Sequence, residues 1–273
     1  MRTAILCLAL LLALSAFSQQ TDEVIVPQTG AARLWIPVAG HAQGQNGTFF
    51  RSEITVTNTR AVPQRVQLYW LPQGATGPST PLQTYDVPAG AGFSSDDFVD
   101  RLLRQTGLGA IEVVGVTSAN AFDQQARLNV TSRIWTPEPE GPEGPTGGTM
   151  SQTFPAVVAG QSAQSDRKRI YGMRRGTQYR LNVGVMNPSA TTQRFRIDVS
   201  ILGPSGLEVE TQEVDVKSRS IEHVLIPADS SGVATVEVED LGGGAGDWQT
   251  WASSVDNVSG DAWSQMGFAW VLQ

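Results

Sequence analysis

Residues 47–58 read GTFFRSEITVTN and residues 176–187 read GTQYRLNVGVMN. The second phrase repeats the first at an offset of 129 positions. Sliding the chain by that offset keeps register without a gap from Gly47 to Val87, with thirteen identities in forty-one positions. Several mismatches keep polarity, as in Phe50/Tyr179, Ile54/Val183, Val66/Phe195 and Leu68/Ile197. The chain is therefore read as a tandem duplication.

The matched stretch has the pattern of half-buried strands. Ile54 and Val56 alternate with Thr55 and Thr57, and Val66, Leu68 and Trp70 also recur at period two. Asn58 and Asn187 end the first strand of each copy, because an Asn side chain can bond backbone two residues on. Turns are expected at Gly74 to Gly77 and at Gly203-Pro204-Ser205-Gly206. A third strand ending at Asp86-Val87 or Asp215-Val216 would complete a meander. Further out, Arg33-Leu34-Trp35 is aligned with Arg169-Ile170-Tyr171, Thr131-Ser132-Arg133 with Ser253-Ser254-Val255, and Ser151 with Ser264. The first copy alone inserts a Gly-rich loop, GHAQGQNG.

The copies differ at one further place. In FSSDDFVDRLLRQTG, Ser94 or Ser95 is a capping residue and Asp96 and Asp97 complement a helix N-terminus. Phe98, Val99, Leu102 and Leu103 share a face, and Gly107 ends the helix. The second copy has only SIEHVLIPADSS there. Seven or so short strands per copy make the expected fold all-β: two tandem Ig-like β-sandwich domains, with one short helix in the first. The expected boundaries are a signal peptide at 1–18, an N-terminal segment at 19–32, domain 1 at 33–158, a linker at 159–168 and domain 2 at 169–273. The acidic stretch TPEPEGPEGPTGG is read as a hairpin loop inside domain 1.

Met1-Arg2, the apolar run from Ala4 to Leu14 and the small residues of Ala16-Phe17-Ser18 have the layout of a secretory signal. No stretch approaches the roughly 20 apolar residues of a membrane-spanning helix. Periplasmic, cell-surface or extracellular export without a membrane span is the expectation. The only cysteine, Cys7, would leave with the signal, so thiol chemistry and disulfides are not expected. A net charge of −7, with two Lys against seventeen Arg, gives no footprint for nucleic acid.

Few residues offer chemistry. Asp256 and Asp261, in DNVSGD, have the oxygen ligands a calcium loop needs but lack its further carboxylates. Asp96, Asp97 and Asp100 are better placed to complement a helix dipole than to hydrolyse a glycoside. His41 and His223 fall at unmatched positions, and neither G-x-S-x-G nor H-E-x-x-H occurs. Arg51 and Arg180 do recur, which suggests either an anion site in each copy or an ion pair whose stem covers apolar surface. Trp248, Trp251, Trp263 and Trp270 crowd the last 30 residues and are the candidate aromatic platform for a glycan, by fold-level analogy.

IPVAGHAQGQNGTFFRSEITVTN, DVPAGAGFSSDDFV, VTSRIW, GTMSQTFPAV, YRLNVGVMN and SSVDNVSGD together resemble a group of uncharacterised exported bacterial proteins with a duplicated β-sandwich pattern. The resemblance covers about residues 33–263 and implies no activity, cofactor or site residue. The expectation is a non-enzymatic binding or scaffolding protein, without cofactor, whose partner is an extracellular glycan or protein. A structural or adhesive module that pairs through a sheet edge is the alternative, with a secreted hydrolase behind it.

Overall fold

The structure is a computed structural model that describes residues 30–44, 47–138, 147–160, 165–203, 206–227, 231–242 and 247–269. The proposed signal peptide, Cys7 and Trp270 lie outside the described residues. The chain is nearly all β, and its sheets are antiparallel. The first half carries β1 (Arg33–Gln43), β2 (Phe49–Asn58), β3 (Gln64–Pro72), β4 (Gln83–Val87) and β5 (Gly92–Ser95). It continues with helix α1 (Phe98–Arg101), β6 (Gly107–Val116), β7 (Leu128–Pro137), β8 (Thr149–Thr153) and β9 (Val157–Val158). The second half repeats this order, with no helix among its described residues. Its strands are β10 (Arg167–Arg175), β11 (Tyr179–Asn187), β12 (Gln193–Gly203), β13 (Gly206–Val216), β14 (Ser220–Ile226), β15 (Gly232–Asp240), β16 (Gln249–Asp256), β17 (Ala262–Met266) and β18 (Phe268–Ala269).

The second half forms two sheets, β13-β12-β15-β10-β18 and β14-β11-β16-β17. The same neighbours recur in the first half as β4-β3-β6-β1-β9 and β5-β2-β7-β8. There, however, the end of β1 also pairs with β2, His41 opposite Arg51, which joins all nine strands into one folded sheet. Each half buries its own apolar cluster. Ile54, Val56, Val66, Leu68, Ile111 and Val113 belong to the first, and Val183, Val185, Phe195, Ile197, Val236 and Val238 to the second.

The expected meander does not form. β2 and β3 are not neighbours in the nine-stranded sheet, and β11 and β12 lie in separate sheets, so the turn after Asn58 or Asn187 is a crossover rather than a hairpin. Crossing strands leave their ladders, and the carbonyls at the crossing need other donors. Asn58 supplies them: its amide nitrogen donates to Val62 O (2.8 Å), Val87 O (3.2 Å) and Pro88 O (3.1 Å). Its Oδ1 accepts from the Arg60 amide at 3.0 Å. Asn187 does the same for Thr191 O, Val216 O, Lys217 O and the Ser189 amide. Both asparagines are fully buried.

Three outer alignments also change by two residues. Leu34 faces Val113 and Val158, whereas Lys168 faces Val238 and Ala269, so 33–35 correspond to 167–169. Residues 167 and 168 are thus strand, not linker. Ser132 lies opposite Ile54 as Ala252 lies opposite Val183, and Ser151 opposite Trp135 as Ala262 opposite Val255. A slip of two preserves the alternation of faces, so strand pattern alone does not detect it.

The two halves share a third cluster. Trp35, Val38, Leu71, Ala110 and Phe154 of the first pack against Met186, Ile221 and Trp251 of the second. Gly184 lets the Trp251 indole lie across β11, where any Cβ would collide with the ring. Backbone bonds from Gly74 and Gly77 to Ile221 O and Ser218 O dock the β3–β4 loop on the edge of β14. Arg219 reaches the buried Glu112 at 2.9 Å and lies over the Tyr69 ring. His223 stacks on Trp251, and its Nε2 is shielded with no hydrogen-bond partner, although the residue keeps some exposed surface.

Replacing Asn58 or Asn187 by Ala leaves three carbonyls without their donor. Each substitution is expected to cost about 2–4 kcal/mol in urea unfolding. Burial pushes the His223 imidazole down to about 4 from 6.5. A depressed folded pKa makes the stabilisation complete above pH 6.5 and loses it as pH falls toward 4. Between pH 7.5 and 5.0 the wild type should lose about 2 kcal/mol more than His223→Phe, measured by urea midpoints at both pH values. Equal losses would remove His223 from the acid response.

Candidate functional site

The residue types that carry chemistry gather at one end of each half, where β1 turns to β2 and β10 turns to β11. In the first half, His41 Nδ1 is 3.0 Å from both carboxylate oxygens of Asp97. Arg51 Nε lies 3.5 Å from the same carboxylate, with its guanidinium over the Phe49 and Trp135 rings. The His41 ring meets Phe49 edge to face. Asp100 adds a further carboxylate, so His41, Asp97 and Asp100 could each point one ligand atom at a metal ion. Three ligands with Arg51 beside them are a poor match to a cation, because the guanidinium already balances the buried Asp97.

This changes the reading of the helix. α1 is a single turn, with Asp97 at its N-cap position but making no side-chain cap bond. Residues 92–95, expected to lead into the helix, are strand β5 paired with β2. Asp97 turns to His41 and Arg51 because it is buried, and an unpaired buried carboxylate costs more than a missing cap. Asp96 is exposed and pairs with Arg101 at 2.6 Å. The inserted loop and the helix thus meet through residues 56 positions apart, which no local motif signals.

The aromatic platform does not form as expected. Trp248 and Trp251 are fully buried, one in the second core and one in the shared cluster between halves. Neither indole offers a face to solvent. Trp263 is half-buried and stands at the open end of the second half beside Tyr179. The physical reason is strand parity: in a chain with a third apolar contact layer, the outward positions of β16 are also covered.

Asp256 and Asp261 close a turn. Asp256 Oδ1 accepts from the amides of Val258 (2.7 Å) and Ser259 (3.0 Å), which hold its carboxyl below the usual carboxylate range. Asp261 Oδ1 accepts from the Ala262 amide at 2.9 Å, and its carbonyl accepts from the Asp256 amide. Those oxygens serve the backbone, as an Asx turn requires. Arg180 reaches Asn257 Oδ1 at 3.0 Å and faces the gap between halves with Phe50 and Met150.

Sequence reasoning missed two features. Lys168 is buried where Leu34 stands in the first half, and it donates to the carbonyl of Trp248 while lying over its ring. Burial pushes its amine down to about 8. The second is a corner of Arg174, Tyr179 and Trp263: the Arg174 guanidinium lies over both rings and donates to Tyr179 OH at 3.0 Å. Its only sequence signal is an Arg-Arg-Gly-Thr turn next to an aromatic.

No family model matches the chain, and no curated protein matches it. A crystal structure of Thermotoga maritima 1070 is similar over 39% of this chain and 95% of that one, at 14% identity. Its TM-score of 0.31 is too low to carry an argument about either fold or function. Among the described residues no helix is long and apolar enough to cross a membrane, which says nothing about strands.

Proposed function

We propose that the chain is a non-enzymatic, exported binding or scaffolding protein of two Ig-like β-sandwich modules, which docks a partner along the edge of β13. The export reading rests on the secretory layout of residues 1–18. The non-enzymatic reading is supported by how the titratable residues are used. His41, Asp97 and Arg51 satisfy one another, Asp256 holds its own turn, and His223 is packed between halves.

The observation that carries the docking reading is the β13 edge. β13 pairs only with β12 among the named strands, along eleven residues. The edge of β14 is overlaid by the β3–β4 loop, and β8 is bridged to β16 by Gln152 to Ser253 and to β17 by Ser264 to Thr153. Beside the β13 edge lies an apolar patch on three adjacent strands: Leu202 is 80% exposed, Leu207 68%, Val209 55% and Val233 64%. A free strand with exposed apolar residues is a template for an added strand.

Four acids punctuate β13: Glu208, Glu210, Glu213 and Asp215. Two copies of β13 laid side by side would oppose like charges, which disfavours self-association. The fitting partner is an extended basic segment with apolar residues at alternate positions. An eight-residue peptide alternating Lys and Val should slow hydrogen exchange in β13, and one alternating Glu and Val should not. Val209→Lys should weaken the Lys peptide about tenfold, or about 1.4 kcal/mol. Unchanged exchange in β13 with the Lys peptide would defeat the docking reading.

A further inference from the structure

The two halves end differently. Between β5 and β6, helix α1 crosses the end of the first sandwich, with Phe98 and Val99 buried in its core. Between β14 and β15 the second half has no helix among its described residues. At this end lies an open pocket of about 360 Å³, lined by Ser231 and Gly232 after β14 and by the β10–β11 turn. That volume falls within the range of small-molecule sites, roughly 300–1,000 Å³.

The lining has a distinct chemistry. It includes Arg174, Arg175, Thr177, Gln178, Tyr179 and Ser231, and no acidic residue, in a chain with 26 Asp and Glu. Arg174 is exposed, and no carboxylate lies within ion-pair distance of it among the described residues. Twelve arginines do have such a partner: 33, 51, 60, 65, 101, 133, 167, 169, 175, 194, 196 and 219. Behind it Arg175 is buried, its terminal nitrogen on Glu210 and its Nε without a hydrogen-bond partner. Asp256 is turned onto Gln178 and its own turn amides.

Tyr179 and Trp263 meet edge to face at 5.8 Å, and the Arg174 guanidinium lies 5.3 and 5.6 Å from their centroids. Packing on two rings orients the guanidinium fork, which suits planar, bidentate recognition of a carboxylate. The Tyr179 ring offers apolar surface for the CH face of a sugar ring, and Thr177 and Ser231 offer hydroxyls for its hydroxyl groups. A peptide is a poorer fit, because the Gly176 amide is already bonded to Tyr179 O and the turn presents no strand edge.

We propose that this pocket binds a carboxylated sugar unit of an anionic polysaccharide, with Arg174 taking the carboxylate and Tyr179, backed by Trp263 from outside the lining, the ring. The proposal rests on the chain being a binding protein but not on the β13 edge, and its test shares no variant or probe with that one.

Tetragalacturonate should bind the full chain in calorimetric titration, with neutral cellotetraose and citrate as the ring-only and charge-only controls. Arg174→Ala and Tyr179→Ala should each weaken tetragalacturonate at least tenfold. Arg104→Ala, at an exposed arginine outside the pocket, should leave it unchanged. Chemical-shift changes on tetragalacturonate should centre on Thr177 and Tyr179. Absence of binding, equal binding of cellotetraose, citrate binding as tightly as the tetramer, or insensitivity to Arg174→Ala would each overturn the assignment.

Discussion

A strand that leaves one sheet to enter the other abandons its ladder partners, and the carbonyls at the crossing must find donors in a place water does not reach. One buried asparagine per half meets that need. Asn58 and Asn187 each hold the crossover that follows their own strand and the chain end that returns 29 and 30 residues later. Two chain segments in each half are thereby tied to one amide, next to the buried Val56 or Val185. The repetition of the whole bonding pattern, down to the i+2 backbone amide on Oδ1, shows how strict the requirement is.

The second constraint is the contact between halves. An isolated sandwich keeps polar outer faces, but here the outward positions of β1, β3 and β6 meet those of β11, β14 and β16. Burial on both faces explains why outward positions such as Leu71, Ala110 and Met186 are also apolar. It also explains Gly184, where β11 gives up a side chain so that Trp251 can lie flat across it. Glu112, shared between Arg33 and Arg219, adds a charged clasp to the same face. One partner removed would leave the buried carboxylate undercompensated, which ties the position of Arg219 to that of β6.

Duplicated ends diverged in what covers them. In the first half a long β1–β2 connection and a helical turn close the sandwich, and His41, Arg51 and Asp97 are used up in fastening one to the other. In the second half a tight β10–β11 turn leaves the end open, with Tyr179, Arg174 and Arg175 around it. The same fold therefore supports a sealed end and a concave one. The difference lies in loop length and in one buried ion pair, not in the strands.

The offset of 129 positions, the strand alternation around it and the two asparagines were legible in the sequence, because each depends on local periodicity or on a residue's own bonding reach. The all-β class follows from the same signals. What the sequence left open was every relation that a shift of two residues, or a change of sheet, leaves unaltered in pattern. The true partners of Leu34 and Ser132, the crossover after Asn58 and the burial of Trp248 and Trp251 belong to that group. His41 and Asp97 are 56 residues apart, and Arg174 meets Trp263 across two sheets. Such encounters are set by how layers stack, and stacking is a property of the folded chain's third dimension, which no period along one strand encodes.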